Sequence, residues 1–152
     1  KSYDFYFLYL NYIFVINMNK LFRDIIVVLF IIFFFLSCDD TLTVDNVDDR
    51  DIPLTNVSFS QDIYPIFQVK CAFSGCHASP NPADGIDLST WANVTANPYI
   101  VFPHNSGNSI LVWAIEGRAG ISPMPPVGYA RPITTKQLAG IKTWIDEGAL
   151  DN

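Results

Sequence analysis

Cys71 and Cys76 are separated by four residues in Cys71-Ala72-Phe73-Ser74-Gly75-Cys76-His77, with His77 directly after the second thiol. Two thiols and an imidazole at this spacing can do three things: close a disulfide, contribute to a zinc site, or attach a haem through thioether bonds with the histidine on its iron. Zinc needs four ligands. Cys71, Cys76, His77 and His104 would have to supply all of them, and adjacent residues such as Cys76 and His77 rarely both face one ion. A disulfide across four residues closes a small loop without a cofactor and leaves His77 an ordinary polar residue. The haem use gains from Met124, which lies 47 residues beyond His77 in Ser122-Pro123-Met124-Pro125-Pro126. A methionine is usually core packing, but one framed by prolines in a loop is well placed to present a thioether to iron. His104, in the polar turn Pro103-His104-Asn105-Ser106-Gly107, is the rival for that position, with a solvated surface histidine as its default reading.

Positioning these groups falls to short helices separated by loops. Ser58-Phe59-Ser60-Gln61 has the spacing of a capping box, and Phe59, Ile63, Ile66 and Phe67 follow on one helical face and deliver the chain to Cys71. Pro65 lies inside this segment, so either a kink or a start nearer Asp62 is expected. Residues 77–108 are rich in Pro, Asn, Gly and Ser and read as irregular, with at most a short helical turn over 89–94. Ser109 can cap a helix running through Glu116 and stopped by Gly117. Residues 121–132 carry four prolines and read as extended loop. Thr134 or Thr135 can cap a last helix whose apolar face is Leu138, Ile141, Trp144 and Ile145, ended at Gly148. The chain shows neither a strand pattern nor an internal repeat.

The N-terminal third reads as a targeting segment. Ile25 to Leu36 are twelve consecutive apolar residues preceded by Lys20 and Arg23. A membrane span needs about 20 such residues, whereas a secretory signal has a basic start and a core of roughly 7–15. Residues 18–37, opening on Met18, are therefore expected to be a signal peptide, and residues 1–17 an over-extended N-terminus. Phe35-Leu36-Ser37-Cys38 resembles a bacterial lipobox, which implies acylation of Cys38 and anchoring to a membrane surface. Residues 38–56 read as a solvated acidic tether, with six aspartates against Arg50 between Asp39 and Asp51, and 57–152 as the domain.

The domain's motifs resemble class I c-type cytochrome domains, in particular the compact variety that includes the Planctomycete-type cytochrome c domain. Asp62-Ile63-Tyr64-Pro65-Ile66-Phe67 is similar to the family's first helix, and Gly85-Ile86-Asp87-Leu88-Ser89-Thr90-Trp91 to the segment after the haem motif. Asn108-Ser109-Ile110-Leu111 is similar to its middle helix, and Met124-Pro125-Pro126 to its axial-methionine loop. Ile141-Lys142-Thr143-Trp144-Ile145-Asp146-Glu147-Gly148-Ala149 is similar to the end of its last helix. Four residues separate the cysteines where the family usually has two, and Gly75 lets the longer loop turn.

The resemblance implies an all-α, cytochrome c-like fold of three to four short helices around one haem, with long Pro/Gly-rich loops. It implies one covalent haem c held by Cys71 and Cys76, with His77 and Met124 as axial ligands. Filling both axial positions leaves no place for substrate, so the implied role is outer-sphere electron transfer between redox partner proteins, not catalysis. Phe59, Ile63, Phe67, Trp91, Leu111, Trp113, Leu138, Ile141 and Trp144 are the candidate wall residues, and Arg118 and Arg131 could pair with the propionates. With the lipid anchor, the expected location is the periplasm or cell surface. The alternative is a haem-free surface lipoprotein stapled by a Cys71–Cys76 disulfide and acting as a binding module.

Composition agrees with one small exported domain and excludes other classes. The chain is 50% hydrophobic and 16% charged with a net charge of -6, which argues against both a disordered chain and a phosphate-neutralising nucleic-acid surface. A phosphate loop, a nucleophilic triad and a metal-hydrolase motif are all missing from the sequence.

Overall fold

A computed structural model of the chain describes residues 20, 22–28, 42–118 and 120–152. The chain divides into two units, one up to Thr41 and one from Leu42 to Asn152. In the first, residues 22–28 are helical, and among the described residues no helix is long and apolar enough to cross a membrane. Cys38 and most of the expected signal core lie outside the described residues.

The second unit is all-α, with no strand among its described residues. Its helices are α1 (Val44–Asp48), α2 (Tyr64–Lys70), α3 (Trp91–Val94), α4 (Ile110–Glu116) and α5 (Thr135–Asp146). A π-helical turn, Phe59–Ile63, runs directly into α2. This is how the chain accommodates Pro65. It falls in the first turn of α2, where a missing N–H costs little, and the carbonyl of Gln61, which an α-helical N–H at 65 would have reached, accepts from the Arg50 guanidinium. Ser58 caps the turn through its Oγ, which accepts from the Gln61 amide, and Asp62 rather than Gln61 returns the bond to the Ser58 amide.

The other helices form where their caps are written. Thr134 and Gln137 complete a capping box at the start of α5. Thr90 caps α3, and Gly117 ends α4 with a left-handed φ of 63°. Ser109 occupies the N-cap position of α4 without capping it: its hydroxyl accepts from the Phe102 amide and donates to the Asn105 carbonyl, tying down the preceding loop. Residues 121–132 are loop, as their prolines require. The core lies where the π-turn and α2 meet α5, with Phe59, Ile63, Ile66 and Phe67 against Ile141, Trp144 and Ile145, and the Phe59 and Trp144 rings 5.3 Å apart.

One domain boundary is corrected. Residues 42–56 are not a solvated tether but the first part of the compact unit. Val47 is 2% exposed, and Ile52 packs on Gly140 so closely that a Cβ there would sit 2.6 Å from Ile52 Cγ2. The aspartates meet cations from distant parts of the chain: Asp45 pairs with Arg131, Asp48 with Lys70, and Asp51 with Lys136. Asp45 and Asp51 stay exposed in these pairs, whereas Asp48 is largely covered, and the fold supplies a cation to each.

Candidate functional site

Helix α2 ends at Lys70, and the segment after it closes into a compact loop. The Cys71 amide donates to the Phe67 carbonyl at 2.8 Å, the Cys76 amide to the Phe73 carbonyl at 3.0 Å, and the His77 amide back to the Cys71 carbonyl at 3.0 Å. Gly75, with φ 83°, makes the turn that this closure needs. The four intervening residues are thus folded into a ring that returns His77 beside Cys71. Both thiols are free. Burial pushes the Cys71 thiol up to about 12, against the opposing pull of the Lys70 charge.

His77 is fixed from two sides. Its carbonyl accepts from the Leu88 amide at 2.8 Å, and its Nδ1 lies 3.0 Å from the Ile86 carbonyl. A carbonyl can only accept, so Nδ1 carries the proton and Nε2 keeps a free lone pair. This is the arrangement that prepares an imidazole to ligate a metal through Nε2.

Met124 comes from the proline loop, docked onto the end of α4 by its own amide, which donates to the Ala114 carbonyl at 2.9 Å. Two cavities then share Cys71, His77 and Met124 in their walls. The larger, about 390 Å³, continues over Ile86, Leu88, Ile100, Leu111 and Ile115. The smaller, about 190 Å³, adds Cys76, Phe73, Pro125 and Tyr129. Their walls are dominated by apolar side chains, and the larger alone is within the roughly 300–1,000 Å³ range of small-molecule and cofactor sites. All four expected site residues, Cys71, Cys76, His77 and Met124, are brought to one place.

Other expected residues are not. His104 is exposed and sits at the C-terminal end of α5, where its amide donates to the Ile145 carbonyl and its Nδ1 to that of Asp146. It lines neither cavity. Arg118 pairs with Glu116 and lies over the Trp113 ring, and Arg131 pairs with Asp45 and Asp48, so both guanidinium groups have partners within the chain. Of the nine expected wall residues only Leu111 lines either of these two cavities; Phe59, Ile63, Phe67, Ile141 and Trp144 are buried in the helix core. The apolar residues of the segment after the haem-like motif, Ile86 and Leu88, take their place, because that segment folds back over His77.

Two residues that sequence reasoning missed frame the site. Lys70 is 1% exposed and donates from Nζ to Asp48 at 2.5 Å, to the Pro132 carbonyl at 2.8 Å and to Gln137 at 2.9 Å. It thereby ties together α1, α2, the end of the methionine loop and α5. The sequence did hold a signal, since position 70 continues the apolar face of positions 59, 63, 66 and 67. Asp87 is the second, with four hydrogen bonds to its carboxylate. Its partners Ser79, Ser89 and Asn93 are unremarkable polar loop residues in the sequence.

Compared with family models, curated proteins and solved structures, the chain matches none of them. The fold defines an all-α protein, and the chemistry must be read from the site itself.

Proposed function

We propose that this chain is a monohaem c-type cytochrome with a cytochrome c-like fold, transferring electrons between redox partner proteins. The observation that carries the reading is the shared cavity wall of Cys71, His77 and Met124, with His77 Nε2 left free by the Nδ1–H bond to Ile86. The donor set fits haem c. Cys71 and Cys76 would hold the group through thioethers, the His77 imidazole and the Met124 sulfur would ligate its iron, and the surrounding apolar side chains suit a porphyrin.

When bound, haem supplies a one-electron ferric/ferrous couple. The chain's own residues do the rest. Cys71 and Cys76 hold the group so that a small domain cannot lose it. His77, oriented by Ile86, offers an electron-rich nitrogen, and Met124 a soft sulfur that favours ferrous iron and raises the potential relative to bis-histidine ligation. Ile86, Leu88, Ile100 and Leu111 exclude water and so limit reorganisation on electron transfer. A lipid on Cys38 would hold the protein at a membrane facing the periplasm or the cell exterior, within reach of membrane-bound or soluble redox partners.

The test is to express the full chain with c-type maturation machinery and take a pyridine haemochrome spectrum after acid–acetone extraction. A c-type spectrum that survives extraction is expected. A colourless, folded protein with a Cys71–Cys76 disulfide overturns the reading and leaves a stapled binding module.

The axial assignment has its own readout. Met124→Leu should abolish the sulfur-to-iron absorption band of the oxidised protein and lower the reduction potential, because a soft ligand is lost. His104→Ala should leave the band intact, since that ring is engaged with the end of α5.

A further inference from the structure

We infer that Asp87 is a positioning residue that sets the orientation of the His77 imidazole, and through it the reduction potential, by clamping the segment that supplies the Ile86 carbonyl. The inference rests on the cytochrome reading above. Besides its own amide bond to the Cys71 carbonyl, His77 is held by residues 86 and 88, through the Nδ1–H bond to the Ile86 carbonyl and the Leu88 amide bond to its own carbonyl. Neither bond can be better fixed than the segment that makes it. Residues 86–88 lie in a loop between the short turn at Ala83–Gly85 and α3, without a helix or sheet of their own.

Asp87, between the two contact residues, supplies the missing rigidity. One carboxylate oxygen accepts from the Ser89 amide at 2.8 Å and the Ser89 hydroxyl at 2.5 Å. The other accepts from the Ser79 hydroxyl and from Asn93 Nδ2 at 2.9 Å. The carboxylate therefore joins three parts of the chain: the loop two residues beyond His77, the contact segment itself, and α3. Hydrogen bonds to an ionised acceptor are the strong kind, and four on one carboxylate make a rigid joint in otherwise irregular chain.

The electronic consequence follows from the hydrogen bond on Nδ1. A proton shared with a well-placed carbonyl makes the imidazole a better electron donor at Nε2, which favours ferric iron. Freeing the carbonyl to move weakens that donation and raises the potential. Asp87 touches neither His77 nor the cavities, so its effect is transmitted through Ile86 and Leu88.

The test compares Asp87→Ala, Asp87→Asn and wild type in the haem-loaded full chain, by spectroelectrochemical titration and by hydrogen exchange at the Leu88 amide. Asp87→Ala should raise the potential and speed Leu88 exchange by at least about tenfold. Asp87→Asn keeps acceptor oxygen for Ser89 and should recover part of both effects. Thr134→Ala, which removes the α5 cap far from His77 in sequence, controls for general destabilisation and should not move the potential. An unchanged potential in Asp87→Ala overturns the inference even if exchange quickens, and so does an equal shift in Thr134→Ala. Should Asp87→Ala fail to fold, Ser79→Ala and Asn93→Ala each remove one arm of the clamp and decide the matter by the same readouts. The haemochrome spectrum separates the two ideas: a colourless wild type overturns the cytochrome reading and this inference with it, whereas a coloured protein with an unmoved potential overturns this inference alone.

Discussion

The Cys71→Ser, Cys76→Ser double variant, produced with c-type maturation machinery, is expected to lose all its haem on acid–acetone extraction and to be largely unfolded without it. Neither serine can form a thioether, so any retained haem would be held by axial ligands alone. The loss of structure follows from the apolar walls that haem would cover, Ile86, Leu88, Ile100, Leu111 and Ile115 among them: burial of apolar surface is worth roughly 25 cal/mol per Å², and a domain's whole stability is only about 5–15 kcal/mol. Each single variant keeps one thioether, so it should retain extractable-resistant haem with its haemochrome band shifted to longer wavelength. Circular dichroism and the haemochrome spectrum read the two effects separately. A double variant that stays as folded as wild type would show that the cavity walls support themselves.

Asp48→Ala is expected to destabilise the protein toward the lower end of the roughly 3–5 kcal/mol that removing one partner from a buried ion pair costs, because Lys70 is fully buried but Asp48 keeps 21% of its side chain exposed. Lys70 is then left inside the protein with only the Pro132 carbonyl and Gln137 as acceptors. For a domain of this size the melting temperature should fall by at least about 10 °C. Asp48→Ala combined with Lys70→Met should recover much of the loss, because an apolar side chain needs no counter-charge; thermal melts of the three proteins decide this. Acid should reproduce part of the effect. Burial alone would raise the Asp48 carboxyl, but hydrogen bonds from Lys70 and Gln137, with the charges of Lys70 and Arg131, outweigh it and hold the group below its ordinary value of 3.8. A carboxyl lowered by folding contributes its full stability above the unfolded value and loses it as pH falls through the lower folded value. Wild type should therefore weaken below about pH 4, and Asp48→Ala should lack that component of the decline.

The two variants report on different halves of one arrangement. Lys70 immediately precedes Cys71, and the carbonyl it holds, Pro132, closes the loop that carries Met124. The acidic segment thus bears on the site through a single buried ammonium group.

Sequence by itself determined the local structure. Caps at Ser58 and Thr134, the stop at Gly117 and the prolines between 121 and 132 set element boundaries through interactions within four residues, so they can be read without knowing the fold, whereas Ser109, read as a cap, spends its hydroxyl on the preceding loop. The cluster Cys71-Cys76-His77 and the framed Met124 were legible for the same reason, because residue type and spacing carry their chemistry. Tertiary structure decided which residues meet. Phe59, Ile63, Phe67, Ile141 and Trp144 are as apolar as Ile86 and Leu88, and only the packing of the π-helical turn and its neighbours on α5 keeps the first group away from the two cavities while Ile86 and Leu88 line the larger one. Only the fold carries His104 to the end of α5 and places Met124 in the same cavity walls as His77. The aspartates of 45–51 read as solvated because their cations, Lys70, Arg131 and Lys136, lie 22–86 residues away in the chain. Charge pairing and cavity lining depend on proximity in space, and proximity across such separations is a property of the folded chain alone.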